Sequence, residues 1–434
     1  MIDWSGTAIW WQVYPLGFVG AEPSRLPAGR LEHRLPDVSW LDHLISLGCN
    51  GLLLGPIFES ESHGYDTVDH LAIDRRLGDD HDFDRLVAAA HDRGIRVLLD
   101  GVFNHLGRAH PRVRAAVQDG PDSEAGRWLR WTERDGQPVP DNFEGHDRLV
   151  ALNHDHPPVA ELVTGVLDRW LQRGVDGWRL DAAYQVPAAF WAGVLPVIRE
   201  RHPQAWFVGE MIHGDYAGYA AASGLDSITQ YELWKAIWSS INDHNFFELS
   251  WALQRHADFV AAFQPLTFIG NHDVTRIASM ITDERHLPHA VALLFFLPGV
   301  PSVYYGDGDG LPGVKEDRLG GDDAIRPAFP PTPDQLTPAV DGLPDLYRQL
   351  IAVRRRHRYL ADATVDVELL EDERLVLAAS GRAADESVLR LILNLSDEPL
   401  STDSSAGDAV LAASAPGRPP GDVEPHGWCI LAAE

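Results

Sequence analysis

Eight short apolar runs recur along the chain at wide spacing, and this alternation constrains the fold more than any other feature. The runs are AIWWQVYP (8–15), GLLLGPIF (51–58), IRVLLDGVF (95–103), VDGWRLD (175–181), AWFVGE (205–210), DSITQYE (226–232), LTFIGNHD (266–273) and VPSVYYGD (300–307). Helix-like stretches lie between most of them. DFDRLVAAAHDRG (82–94) opens on acidic capping residues and stops at Gly94. PVAELVTGVLDRWLQRG (158–174) repeats apolar positions at helical spacing and also ends in glycine. Buried strands alternating with helices predict an α/β chain whose eight parallel strands close into a (β/α)8 TIM barrel.

The stretch between the third and fourth runs is longer than one helix needs. Residues 106–157 mix Pro, Gly, Asp and Arg, yet offer Trp128, Leu129, Trp131 and Phe143 for burial. They read as a small inserted domain B, not a linker. After about residue 360 the texture changes: VDVELLEDERLVLAAS, SVLRLILNLS and GWCILAAE look like antiparallel strands between Gly, Pro and Ser turns. The expected organisation is barrel strands 1–3 in residues 1–105, the insert in 106–157, barrel strands 4–8 in 158–358 and a C-terminal antiparallel β-sandwich in 359–434.

Charge narrows the list of partners. With 36 Lys+Arg against 64 Asp+Glu, the net charge is −28, which repels phosphate backbones and argues against nucleic acid. Two cysteines, Cys49 and Cys429, cannot make a disulfide framework and suit a reducing compartment. The N-terminus has neither a basic start nor an apolar core, so no signal peptide is expected. The longest apolar run, AVALLFFL (290–297), is too short to span a bilayer. A cytoplasmic protein with no membrane partner is expected.

Catalytic groups of such a barrel come from the C-terminal ends of its strands. Strand 3 ends in Asp100, Asn104 and His105, strand 4 in Arg179 and Asp181, strand 5 in Glu210, and strand 7 in Asn271, His272 and Asp273. The second βα loop adds His63, Tyr65 and Asp66. Packing alone does not account for ionisable groups ending four strands at one rim, because unpaired buried charge is costly. Three carboxylates suit glycoside chemistry: one attacks the anomeric carbon, one protonates the leaving oxygen, and one holds ring hydroxyls. Arg179, two residues before Asp181, shares its strand face and is expected to keep it ionised and aimed.

The segments DGVFNH (100–105), GWRLDAA (177–183), VGE (208–210) and IGNHD (269–273), in this order, resemble the α-amylase superfamily of glycoside hydrolases. HGYDTVDHLAIDRRLG (63–78), LNHDHPPV (152–159) and GVPSVYYGD (299–307) add to the likeness, which covers nearly the whole chain. The resemblance implies Asp181 as nucleophile, Glu210 as general acid/base and Asp273 as transition-state stabiliser. It implies that His105 and His272 hydrogen-bond the sugar, that Arg179 orients Asp181, and that Tyr65 stacks on the sugar. Arg326, in DDAIRPAF, resembles an arginine found near the active site of many relatives. His63, Asp66, Trp178 and His213 complete the candidate substrate-binding set, with Trp178 readable as core and His213 as a loop cap.

The departures are informative. Secreted α-amylases carry Lys-His after the nucleophile, where this chain has Tyr184-Gln185, a texture nearer to cyclomaltodextrinases, neopullulanases and α-glucosidases. Ala151 stands where many calcium-dependent members have Asp, so Asn104 is left as the one candidate calcium ligand, and no cofactor is expected to be required. The leading reading is a retaining glycosidase cleaving α-glucosidic bonds, α-1,4 above all, in short maltooligosaccharides. A transglycosylase or a trehalose synthase-like isomerase would use the same triad, and a non-catalytic sugar-binding barrel would share only the fold. GDGDGLPG (306–313) lacks the third acidic ligand of a calcium loop and reads as a plain βα loop.

Overall fold

The computed structural model describes all of the 434 residues except 1–3, 28, 36, 37, 319, 382–387, 404, 406 and 434. Each of the eight apolar runs becomes a barrel strand. They are β1 (Trp10–Val13), β2 (Gly51–Leu54), β3 (Arg96–Gly101), β4 (Gly177–Leu180), β5 (Trp206–Gly209), β6 (Ser227–Ile228), β7 (Leu266–Phe268) and β8 (Val300–Tyr304). All neighbours pair in parallel in the order β6-β5-β4-β3-β2-β1-β8-β7. A parallel bridge between Thr229 and Leu266 joins the two ends and closes the barrel.

The barrel is a filled core. Ala8, Trp10, Leu53, Leu98, Trp206, Val208, Leu266 and Val300 pack inside its lower half. The Trp10 and Trp206 rings stack at 5.8 Å, inclined by 16°. Gly51 makes room for this pair: a Cβ there would lie 2.3 Å from the Trp10 indole. Helices including Asp80–His91, Pro157–Gln172, Ala188–Arg201 and Leu343–Arg356 cover the outside. Asp79 and Asp82 form a capping box on the first of these, satisfying donors that the helix start leaves open.

The stretch after β3 folds on itself. Strands His105–Gly107, Asn142–Phe143 and His146–Ala151 form a small antiparallel sheet, with a hairpin of Trp131–Arg134 and Gln137–Pro140 beside it. Trp128 and Leu129 are buried there, while Trp131 and Phe143 stay partly exposed. The C-terminal sheet has the order 364–370, 374–380, 389–394, 428–432, 409–413. Side chains alternate across it: Leu375, Leu377, Leu391 and Leu393 join the main core, while Val376, Ile392 and Leu431 pack against Leu400 and Val423 of a two-stranded ribbon. The second layer of the sandwich is therefore short. Both cysteines are free and buried. Among the described residues, no helix is long and apolar enough to cross a membrane.

Candidate active site

Strand alternation places the polar groups. In β4, Trp178 and Leu180 point outward into the shell between strands and helices, so Arg179 points inward, level with Asp100 of β3. Asp181 and Glu210 follow on the same inward register, one residue past the ends of β4 and β5. Arg179 is the hub. Its Nη1 donates to both Asp100 oxygens at 2.7 and 2.6 Å and to Asp181 Oδ1 at 3.2 Å. Its Nη2 donates to Glu210 Oε1 at 2.5 Å.

Glu210 is held from two further sides. The Ala182 N–H donates to its Oε2 at 2.9 Å, and the Tyr231 hydroxyl to Oε1 at 3.3 Å. Ala182 has φ of +45°, a conformation that strains a residue with a Cβ, and the bend aims its N–H at Glu210. Burial, and then the negative charge of Glu210, push the Asp181 carboxyl well above the usual carboxylate range, with Arg179 pulling the other way. Three buried carboxylates face one guanidinium. Arg179 favours the ionised form of Asp181 and bonds its Oδ1, while its shorter bonds go to Asp100 and Glu210.

Asp273 sits in the opposite electrostatic setting. His272 Nε2 lies 2.9 Å from its Oδ2, Arg326 Nη2 donates to Oδ1 at 2.9 Å, and Lys315 Nζ donates to its main-chain carbonyl at 2.8 Å. Burial would raise this carboxyl, but His272 and Arg326 outweigh it and hold it far below the ordinary value. The His272 ring is fixed by Gln12, whose Nε2 stands 3.1 Å from Nδ1, by the Tyr65 hydroxyl at Nε2, and by parallel rings of Tyr65 and Tyr14. If Gln12 donates to Nδ1, Nε2 carries the hydrogen and faces Asp273. His105 is buried, with Nε2 on the Tyr65 carbonyl and Nδ1 near Asn104, and burial pushes it down to about 3, so its ring is neutral. To reach a sugar, Nε2 must share or leave that carbonyl.

Residues 12–329 match the family model described as alpha amylase, catalytic domain. The chain belongs to the alpha-amylase family. It is 31% identical over 338 residues to a cyclomaltodextrinase of Bacillus sp, an alignment spanning 71% of this chain and 60% of that one. It is 30% identical to neopullulanase 2 of Thermoactinomyces vulgaris, over 90% of this chain and 70% of the relative. Among solved structures, the cyclic alpha-maltosyl-(1→6)-maltose hydrolase of Arthrobacter globiformis in complex with maltose superposes with a TM-score of 0.81 at 26% identity, covering 99% of this chain and 100% of that one. The chain thus spans about 60 to 70% of the length of these two curated relatives.

Two expected contact residues of this alpha-amylase family site lie elsewhere. Trp178 is fully buried outside the barrel, against Phe58 and Phe103, because it occupies an outward strand position. Asp66 is also fully buried, and accepts from the Ser62 and His63 N–H groups and the Ser62 hydroxyl, so it folds its own loop. His63 stays half-exposed at the mouth. His213 is exposed beside Tyr184, with ring centroids 5.3 Å apart. Tyr184 donates to Glu144 of the insert at 2.7 Å, and Phe143 stacks on His105 at 5.1 Å. Gln12, Tyr14, Tyr231, Lys315 and Glu144 were not singled out from the sequence. Gln12 alone carried a signal: it is the polar residue of an otherwise apolar strand, on the inward register. Asn104 Oδ1 is buried without a hydrogen-bond partner, and the strand pairing puts the Ala151 methyl opposite His105, next to it.

Proposed function

We propose that this chain hydrolyses α-glucosidic bonds, chiefly α-1,4, in short maltooligosaccharides and related α-glucans, with net retention of configuration. The observation that carries the reading is the convergence of Asp181 and Glu210 on one guanidinium. Each bonds its own nitrogen of Arg179, which brings the two carboxyls to one point of the rim, as a double displacement needs. Asp181 attacks the anomeric carbon while Glu210 gives its proton to the departing glycosidic oxygen. The C1–O bond breaks and a glycosyl ester forms. Water then loses a proton to Glu210 and attacks the same carbon, which frees the Asp181 carboxylate. Asp273, ionised by His272 and Arg326, holds ring hydroxyls and stabilises positive charge at the ring.

This cycle needs Glu210 protonated and Asp181 ionised when sugar is bound, and the Arg179 contact to Asp181 favours the second condition. The names of the relatives, a cyclomaltodextrinase and a hydrolase of a cyclic maltosyl-maltose, support a small α-glucan as substrate. Calcium has no part in the proposed cycle. Asn104 offers one amide oxygen and the Ala151 side chain none, while a calcium ion takes about six to eight oxygens, several of them from carboxylates, so this pair does not make a calcium site. Two free buried thiols support a cytoplasmic location.

A product time course on maltose, maltotriose, cyclodextrin, sucrose and trehalose, followed by NMR and repeated in EDTA, tests the reading. Glucose or maltose should appear first as the α-anomer at a rate EDTA does not change. Asp181→Asn should keep the fold and lose roughly a thousandfold or more in kcat. First appearance of the β-anomer would overturn retention, and conversion of maltose into trehalose would replace hydrolysis by isomerisation.

A further inference from the structure

Four histidines meet where the helical shell of the barrel touches the C-terminal sheet. The His286 ring lies 5.3 Å from His244, 5.2 Å from His289 and 5.1 Å from His426. His244, His286 and His289 belong to the barrel, and His426 to the turn before the last strand of the sheet. Neither the proposed reaction nor the family motifs use any of them.

We propose that Asp283, His286 and His426 bind a divalent transition metal of the zinc class, tying the C-terminal sheet to the barrel. One ligand atom from each of the three lies within 4.8 Å of the other two. His286 Nε2 and His426 Nδ1 face each other at 3.0 Å. Two imidazole nitrogens bound to zinc at about 2.0–2.1 Å in a tetrahedron stand about 3.3 Å apart, so a metal enters with little movement. The outer shell is in place. His426 presents its other nitrogen, Nε2, to Asp397 Oδ1 at 2.9 Å, the arrangement by which a carboxylate fixes the tautomer of a ligating histidine. That tautomer leaves the Nδ1 lone pair to accept from His286 Nε2–H, and a metal takes the place of that proton, which is released.

His286 is 1% exposed and its Nδ1 has no hydrogen-bond partner, so Nε2, which faces His426, is the nitrogen through which this buried ring meets a polar group. His426 is also held at φ of +56°, away from the common backbone region. The two remaining histidines are already engaged: His289 Nε2 lies on the carbonyls of Gly427 and Asn394, and His244 Nδ1 on Glu373. Arg285 pairs with Asp283 but is more than half exposed, so it can yield one carboxylate oxygen to a cation. Two imidazoles and one carboxylate favour zinc over calcium or magnesium, which prefer oxygen alone.

The test uses the full chain, stripped with a chelator and titrated with zinc sulfate by calorimetry, with a melting scan at each metal level. One zinc per chain is expected, with a rise of several degrees in Tm that EDTA reverses. His426→Asn tolerates the left-handed backbone and removes the imidazole; it should weaken binding by about a hundredfold or more and abolish the Tm rise. Asp397→Asn should weaken binding about tenfold. Activity of these variants on maltotriose serves as the folding control. Cobalt(II) bound at the site should give the visible absorption of a low-coordinate N/O centre, absent in His426→Asn. No stoichiometric binding to the parent chain, or equal binding and equal Tm rise in His426→Asn, would overturn the proposal.

Discussion

Arg179 bonds three buried carboxylates, Asp100, Asp181 and Glu210, and the charge balance of the site turns on this one guanidinium. Asp100 accepts from Arg179 through both its oxygens and lies level with it across the β3–β4 pairing, so it anchors the cation beside Asp181 and Glu210. A second buried carboxyl makes the same physics visible in stability. Asp307, just past β8, is fully buried and paired with Arg276 at 3.1 Å, yet burial pushes it up to about 7. Folding therefore favours its neutral acid. That contribution is complete below about pH 4 and is lost as pH rises through about 7. The Tm of the parent chain should fall between about pH 4 and 7 relative to that of Asp307→Asn, which keeps an oxygen for Arg276 and cannot ionise. Parallel Tm curves for the two would show that Asp307 is ionised at neutral pH in the folded chain.

At the level of elements, the insert and the loop after β4 make one end of the cleft. Tyr184 crosses from that loop to Glu144, its ring lies near Phe143 and His213, and Phe143 covers His105. This bridge stands at the positions where the resemblance leads one to expect the Lys-His pair of secreted α-amylases. Tyr184→Ala should raise the ratio of kcat/KM on maltoheptaose to that on maltotriose severalfold, since distant sugar units then gain contacts that count in the transition state. Equal losses on both substrates would assign the bridge to positioning of the insert instead. The bridge was not legible in the sequence. Tyr184 and Glu144 are 40 residues apart, and no local pattern links them. By contrast, the βα alternation and the inward register of Arg179, Asp181 and Glu210 follow from period two, which a strand imposes wherever it forms.

Across the whole molecule one core runs from the helical shell into the C-terminal sheet, with Leu375, Leu377, Leu391, Leu393 and Trp428 in the same apolar cluster as the barrel helices. A chain ending at residue 358 would expose that face on the shell. Such a truncation should be recovered as aggregate, with no cooperative melt, whereas independent folding of the two parts would give a soluble barrel with its own transition. Most of this architecture was written in local pattern. Eight apolar runs, helix caps and a late shift to alternating strands determined the barrel, the insert and the terminal sheet, because each element forms by burying its own periodic face. The same pattern determined which carboxylates share a rim. Only the tertiary structure decided what each group does there. Trp178 went to the shell and Asp66 to its own loop, because a side chain's use depends on which neighbours close around it. Gln12, Tyr231, Lys315 and the histidines at the sheet interface joined sites that no stretch of sequence contains. Charge, hydrogen bonding and metal affinity act through distances of a few ångströms, and those distances exist only once segments remote in sequence have packed together.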